Sequence, residues 1–401
     1  MKYLTTNLKK QSKRVLRKLT THFAKYIPIK KKLVFFECFL GQSYGDQPKY
    51  IYQEMLKRGM DKEYTLVWGL KKDKMHLEIP GNCKKLSYMS LKYIWTVLRS
   101  DVIINNSRFP YFLVTNPKTF FLQTWHGTPL KRLGLDQDEV YLPNTTTQRY
   151  KANMVRSSSQ WNAMLSQNRF SSERFCSAFA LKREQMWEFG YPRNDLFFLP
   201  ECEKQSIVER VKESLSIPEG KRIVMYAPTF RDDDTKQSKY NHTFPFDLNA
   251  FAKELGEDTV LLLRVHYLVS QTIGKEIHSA NIIDASSYPD IAELYLTADL
   301  LITDYSSVMF DYAITGKPMI FYMYDLVNYR DKLRGFYFDL SELPGPMTEQ
   351  FEEMLAYAKD PQSFEASYEK KYWAFRNKFN YLDDGKASAR IVDKIFFNDN
   401  Q

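Results

Sequence analysis

The chain has 401 residues, 44 % of them hydrophobic and 26 % charged. These globular proportions exclude a disordered chain and a membrane-embedded bundle, and the length predicts two domains rather than one core. Cys38, Cys83, Cys176 and Cys202 form no CxxC pair, which excludes a zinc ribbon and a dense disulfide framework. No apolar run approaches the roughly 20 residues of a spanning helix or the core of a signal peptide.

The formal charge of +9 is unevenly placed: residues 1–32 hold eleven Lys or Arg and no Asp or Glu, so residues 33–401 are close to neutral. Within that lead segment Leu4, Leu8, Val15, Leu16, Leu19, Phe23 and Ile27 recur at three- to four-residue steps, which predicts a basic amphipathic helix. Anionic lipids attract such a segment by about 1 kcal/mol per basic residue near the surface while its apolar stripe enters the interface. Residues 1–32 are therefore read as a membrane-association segment. The bland alternatives are a solvated helix packed on the body or a nucleic-acid arm, and the latter lacks interleaved base-stacking aromatics.

Strands are predicted at Leu33–Glu37, Tyr64–Leu70, Lys85–Tyr88, Asp101–Asn105 and Thr119–Trp125, with helices at Pro48–Met60 and Ser90–Leu98. Apolar runs alternating with helices imply parallel strands covered on both faces. A polar, poorly periodic stretch, Leu199–Gly220, is read as carrying a domain boundary, placed at 205/206. Strands resume at Arg222–Ala227, Thr259–Val265, Asn281–Asp284, Leu300–Thr303 and Pro318–Tyr322, and the tail from Met347 reads as two or three closing helices. The expected fold is α/β: two facing doubly wound domains, 33–205 and 206–401, whose ligands sit beyond the carboxyl ends of the strands.

Three strand ends collect reactive residues. Gln123–Lys131 (QTWHGTPLK) brings His126, able to take a proton near neutral pH, together with Gly127, Thr128, Pro129, Leu130 and Lys131. In Thr259–His266, Arg264 and His266 flank Val265 and are expected on one face, where a buried arginine wants an anionic partner. Thr303–Ser307 (TDYSS) ends a strand and opens a helix running through Asp311, so Ser306 and Ser307 are either anion-binding hydroxyls or plain N-caps. Ala227, Pro228 and Thr229 close another strand, and Arg193 lies in YPRND near the domain junction. Motifs for P-loop, dinucleotide, zincin and serine-hydrolase chemistry are missing.

TWHGTPLK, GYPRND, YAPTFRDD, LLLRVHY, LITDYSSVMFDYA and RGFYFD, in that order, resemble the CDP-glycerol glycerophosphotransferase family, the teichoic acid primases and polymerases of the TagB, TagF and TarF kind. The resemblance runs from about Leu33 to Arg390. It implies a GT-B-like pair of Rossmann domains, acceptor-binding first and CDP-donor-binding second, peripheral on the cytoplasmic side of the cell membrane. It implies transfer of glycerol phosphate from CDP-glycerol to a membrane-linked polymer, with release of CMP. His126 and His266 then resemble the catalytic pair, with His126 as the base. Gly127, Thr128, Pro129, Leu130, Arg193, Ala227, Pro228, Thr229, Arg264, Val265, Ser306, Ser307 and Asp311 resemble the substrate-binding wall. Expected partners are CDP-glycerol, a lipid-linked acceptor and an anionic membrane, without nucleic acid. No cofactor is implied, and a divalent ion, the polyol (glycerol or ribitol), teichoic or capsule polymer, product length and oligomeric state stay open. The rival classes are a GT-B enzyme acting on a sugar nucleotide and a non-enzymatic surface-binding protein.

Overall fold

Two all-parallel sheets account for the alternation of apolar runs and helices. The structure, a computed structural model, describes residues 18, 20–140, 145–229, 244–265, 277–326 and 335–397. Contacts divide the chain into a first unit (1–126, 133–193 and 386–401) and a second (127–132 and 194–385).

In the first unit β1 (Lys30–Glu37), β2 (Thr65–Leu70), β3 (Cys83–Ser87), β4 (Ser100–Asn105), β5 (Phe120–Gln123), β6 (Ala163–Ser166) and β7 (Met186–Glu188) run in the order β3-β2-β1-β4-β5-β6-β7. Period-two alternation sends Val34, Phe36, Leu66, Trp68, Val102 and Ile104 to one face. It sends Leu33, Phe35, Val67, Ile103 and Phe121 to the other, so both faces need a cover and the strands read as nearly continuous apolar runs. The helix Asp46–Lys57 covers one face through Ile51, Tyr52 and Met55. Leu91–Arg99, capped by the Ser90 hydroxyl accepting from Tyr93 N at 3.2 Å, covers the other through Tyr93 and Val97.

In the second unit β8 (Arg222–Ala227), β9 (Thr259–Leu263), β10 (Ile282–Asp284), β11 (Leu300–Thr303), β12 (Met319–Tyr322) and β13 (Met347–Thr348) follow the order β10-β9-β8-β11-β12-β13. Val224, Tyr226, Leu261, Leu263, Ile302, Ile320 and Tyr322 share a core with Leu248–Leu255 and Phe351–Lys359. Strand order changes direction between β1 and β4 and again between β8 and β11, and these switch points are where such sheets open a crevice for ligands.

Several expectations shift. Lys30–Lys32, expected in the lead segment, are the exposed start of β1, where Lys30 pairs with Ser100 in register and Lys31 and Lys32 meet Asp101 and Glu63 at 3.2 Å. Of the lead segment, residues 20–23 are helical and a 3-10 turn follows at Ala24–Tyr26; residues 1–17 and 19 lie outside the described residues. Leu199–Gly220 is largely the helix Glu201–Ser214, polar nearly all round with only Val211 buried, and the contact division falls upstream of it at Arg193/Asn194. The final helix, Ala387–Phe396, belongs to the first unit: Ile391 and Val392 enter its core, and Asp393 accepts from Arg58. Among the described residues no helix is long and apolar enough to cross a membrane.

Candidate functional site

Beyond the carboxyl ends of β1, β4 and β5, three loops converge on one imidazole. β5 ends at Gln123, whose side-chain oxygen accepts from Trp125 N at 2.9 Å and turns the chain sharply; Trp125 takes a left-handed backbone, φ 51°. The turn leaves His126 stacked on the Trp125 ring, centroids 4.4 Å apart at 23°, with Phe39 from the loop after β1 at 5.8 Å. Gly127 follows at φ 154°, a backbone conformation for which a side chain is poorly suited.

His126 Nδ1 lies 3.0 Å from the backbone oxygen of Asn106, just past β4. A carbonyl only accepts, so Nδ1 carries the proton and donates; the lone pair of the neutral ring is therefore on Nε2. Crowding by protein pushes the imidazole pKa below its ordinary value, opposed by the Asn106 carbonyl and Asp46 and reinforced by Arg193. The residue remains exposed to water, which limits how far that lowering goes. The ring is thus a neutral acceptor at neutral pH, the state a general base requires.

A buried ion pair fixes the loop around it. Arg193 Nη1 donates to Asp46 Oδ1 at 2.5 Å and to the His126 carbonyl at 3.0 Å, with the two charged side chains only 6 % and 4 % exposed. Asp46 Oδ2 accepts from Asn106 Nδ2 at 2.6 Å, Asn106 Oδ1 accepts from Phe39 N at 2.8 Å, and Gln47 Oε1 accepts from Arg193 N at 3.0 Å. Arg193 is thus a scaffold cation for the His126 loop.

The remaining residues of that motif belong to the second unit. In Gly127–Arg132, Leu130 and Arg132 exchange backbone bonds of 2.9 Å with Tyr337 and Gly335, and Thr128, Pro129 and Leu130 are buried. At the β8–β11 switch point, Ala227 stands opposite Thr303, whose hydroxyl donates to its carbonyl at 2.7 Å, and Thr229 N donates to Asp304 Oδ1 at 2.8 Å. Pro228 lies between them, and Ser306 and Ser307 stand half-buried where the helix Val308–Tyr312 begins.

Three expected ligands have structural partners. Arg264 Nη1 donates to the carbonyls of Ala285, Ser286 and Tyr288 at 2.6, 2.8 and 2.8 Å, and Val265 N donates to Ser286 Oγ at 3.1 Å, so this pair braces the loop after β10. Asp311 is buried and accepts from Asn194 Nδ2 at 2.9 Å. His266 lies outside the described residues. Among the described residues no group of three or more His, Cys, Asp or Glu is arranged to hold a metal ion. Sequence reasoning missed Asp46, Asn106, Phe39 and Glu37; the signal available was the polar run that ends each of their strands, GQSYGDQ and NNS.

Two doubly wound sheets with polar residues gathered at their switch points define a protein of the Rossmann-like α/β class. Comparison with known proteins sharpens this. The sequence profile of CDP-glycerol:poly(glycerophosphate) glycerophosphotransferases matches residues 19–397, and the chain belongs to that family. It is 39 % identical over 368 residues to a teichoic acid glycerol-phosphate transferase of Staphylococcus aureus, covering 91 % of this chain and 93 % of that protein. It is also 39 % identical over 378 residues to the teichoic acid poly(glycerol phosphate) polymerase of Bacillus subtilis; that match covers 93 % of this chain but spans about half, 50 %, of the polymerase. The solved structure of a histidine variant of the wall teichoic acid polymerase TagF, soaked with CDPG, superposes with a TM-score of 0.86 at 37 % identity, over 98 % of this chain and 95 % of the other.

Proposed function

We propose that this chain transfers glycerol phosphate from CDP-glycerol to the terminal hydroxyl of a polyprenyl-diphosphate-linked teichoic acid or related polymer. The observation that carries the reading is the fixed tautomer of His126, which leaves Nε2 open as a proton acceptor in a member of this family. The acceptor oxygen attacks the phosphorus that bears glycerol, its proton passes to His126 Nε2, the bridging P–O bond breaks, and CMP leaves with the bond electrons. Because the reacting phosphoryl group is charged throughout, the rate depends on positioning and on donors that meet the developing charge. Pro228, Thr229, Ser306, Ser307 and His266 are assigned to the donor. Gly127, Thr128, Pro129 and Leu130 form the turn that follows the base, and Arg193 holds the His126 carbonyl that precedes it. Association with the cytoplasmic face of the membrane through the basic lead segment belongs to the same reading; salt-sensitive binding to anionic liposomes tests it.

The test is CMP release from CDP-glycerol by the purified chain with a lipid-linked glycerol phosphate acceptor, run beside CDP-ribitol and UDP-sugars. His126→Ala is expected to lower turnover by at least about 100-fold, the scale of general-base catalysis, while leaving unfolding unchanged. Near-normal turnover in that variant, or UDP release instead of CMP, overturns the reading.

A further inference from the structure

Glu37 ends β1, is fully buried, and has no part in the function argued above. Two donors hold its carboxyl: the Tyr93 hydroxyl on Oε2 and Asn105 Nδ2 on Oε1 at 3.1 Å. Asn105 stands directly opposite in the parallel register of β1 and β4. Its own side-chain oxygen accepts from Ser107 N at 2.7 Å, a backbone donor that fixes which end of the carboxamide is oxygen.

The peptide group that supplies this N–H also carries the Asn106 carbonyl, and that carbonyl accepts from His126 Nδ1. Imidazole, peptide, carboxamide and carboxyl therefore form one chain in which every donor points away from His126 and towards Glu37. Links aligned in one sense polarise one another, so negative charge at one end strengthens the acceptor at each step. The last step is the bond from Nδ1–H, and a stronger acceptor there makes Nε2 more basic.

We propose that Glu37 is a positioning residue that sets the proton affinity of His126 through Asn105 and the Asn106–Ser107 peptide. This rests on the reading of His126 as the base. Burial pushes the Glu37 carboxyl up to about 8, against the opposing hydrogen bonds from Tyr93 and Asn105. The groups facing it are Tyr93 from Leu91–Arg99, Tyr88 from the turn before that helix, Asn105 from β4 and Gly69 from β2, none of them a cation. Packing leaves no room for rearrangement: a Cβ on Gly69 would stand 2.7 Å from Tyr93 Cε2. The charges nearest His126 are Asp46 and Arg193, which pair with each other. The relay is then a gain control: as pH rises through the Glu37 midpoint, the base beyond the end of the sheet strengthens.

The experiment is a pH titration of the full-length protein from about pH 5.5 to 9.5, read twice. Imidazole NMR, with His126 assigned by its disappearance in His126→Ala, reports the ring without substrate; CMP release reports turnover. Wild type should show a second His126 shift with a midpoint near pH 8 and a matching rise in turnover. Glu37→Gln should lose that step and leave the His126 midpoint at lower pH in place, because the carboxyl is already protonated where the ring titrates. Tyr93→Phe keeps the carboxyl, removes a donor to its charged form, and should move the step to higher pH; it decides alone if Glu37→Gln does not fold. A second step that survives Glu37→Gln, or a rate lowered by one constant factor at every pH, overturns the proposal. If His126→Ala turns over normally the assignment of the base fails instead, and the substrate-free NMR shift still decides the relay.

Discussion

The ion pair between Asp46 and Arg193 offers the sharpest test of how the site is held. Both side chains are almost wholly buried, and Asp46 accepts from Arg193 on one oxygen and from Asn106 on the other. Asp46→Asn keeps the shape and tolerates the left-handed backbone found there, φ 55°, but removes the carboxylate charge that meets the arginine at 2.5 Å. One of the two oxygens also becomes an NH2 facing a donor. Removing one partner of a buried ion pair costs about 3–5 kcal/mol, a large share of the roughly 5–15 kcal/mol that holds a domain folded. Arg193→Met strands the buried Asp46 carboxylate in the same way, with Asn106 as its remaining donor, and should cost a similar amount. The double variant should recover about 2–3 kcal/mol relative to the sum. Urea unfolding followed by tryptophan fluorescence suits the test, since Trp68, Trp95, Trp125, Trp161 and Trp187 lie in the first unit and only Trp373 in the second. A loss under about 1 kcal/mol in Asp46→Asn, or strict additivity in the double variant, would refute the argument.

Two further outcomes follow from buried groups. The Glu37 carboxyl titrates in the folded protein at about 8, above its ordinary 4.5, so the folded state binds the extra proton between those values. Its contribution is whole below the unfolded pKa and is lost as pH rises through the folded one; wild-type stability should fall between about pH 5 and 9, and Glu37→Gln should flatten that fall in urea melts. Arg264→Met should leave three partly buried carbonyls without their shared donor, lowering ligand-free stability by about 1–2 kcal/mol and speeding hydrogen exchange at 285–288; an unchanged exchange rate would return Arg264 to the donor phosphates.

Much of the architecture was legible because parallel strands buried on both faces announce themselves as continuous apolar runs. Val34–Phe36, Leu66–Trp68, Val224–Tyr226 and Leu261–Leu263 all read that way. The strands left unassigned, β6, β7 and β13, are two to four residues long and carry too little pattern to stand apart from their flanks. The helix Glu201–Ser214 hid for the opposite reason: its burial is confined to one residue and Arg210 pairs with Glu293 at 3.1 Å, so it shows no apolar stripe. In the site, His126 was legible as a lone titratable residue at a strand end. Asn106 and Asp46 were not, since their work is done by a backbone carbonyl and a side chain brought from 60 residues away. Arg264 shows the same limit in reverse: an arginine in an apolar strand does need acceptors, and here backbone carbonyls supply them.

Backbone strain points to the same place as the hydrogen bonds. Among the described residues eight non-glycine positions have left-handed backbones, and four of them, Phe39, Leu40, Asp46 and Trp125, lie in the two loops that build the surroundings of His126. Each costs on the order of 1–3 kcal/mol and persists only where neighbouring contacts over-determine it. Here the contacts are identifiable: Asn106 holds Phe39 N and Asp46, Gln123 holds Trp125 N, and Arg193 holds Asp46 and the His126 carbonyl. The strained loops cannot relax without breaking buried polar bonds, and those bonds cannot move without exposing a charge. The imidazole is consequently set in place before any substrate arrives, stacked on Trp125 with Nδ1 spoken for. A base fixed in this way needs no reorganisation at the moment of proton transfer, which is the condition under which a single neutral histidine is most effective.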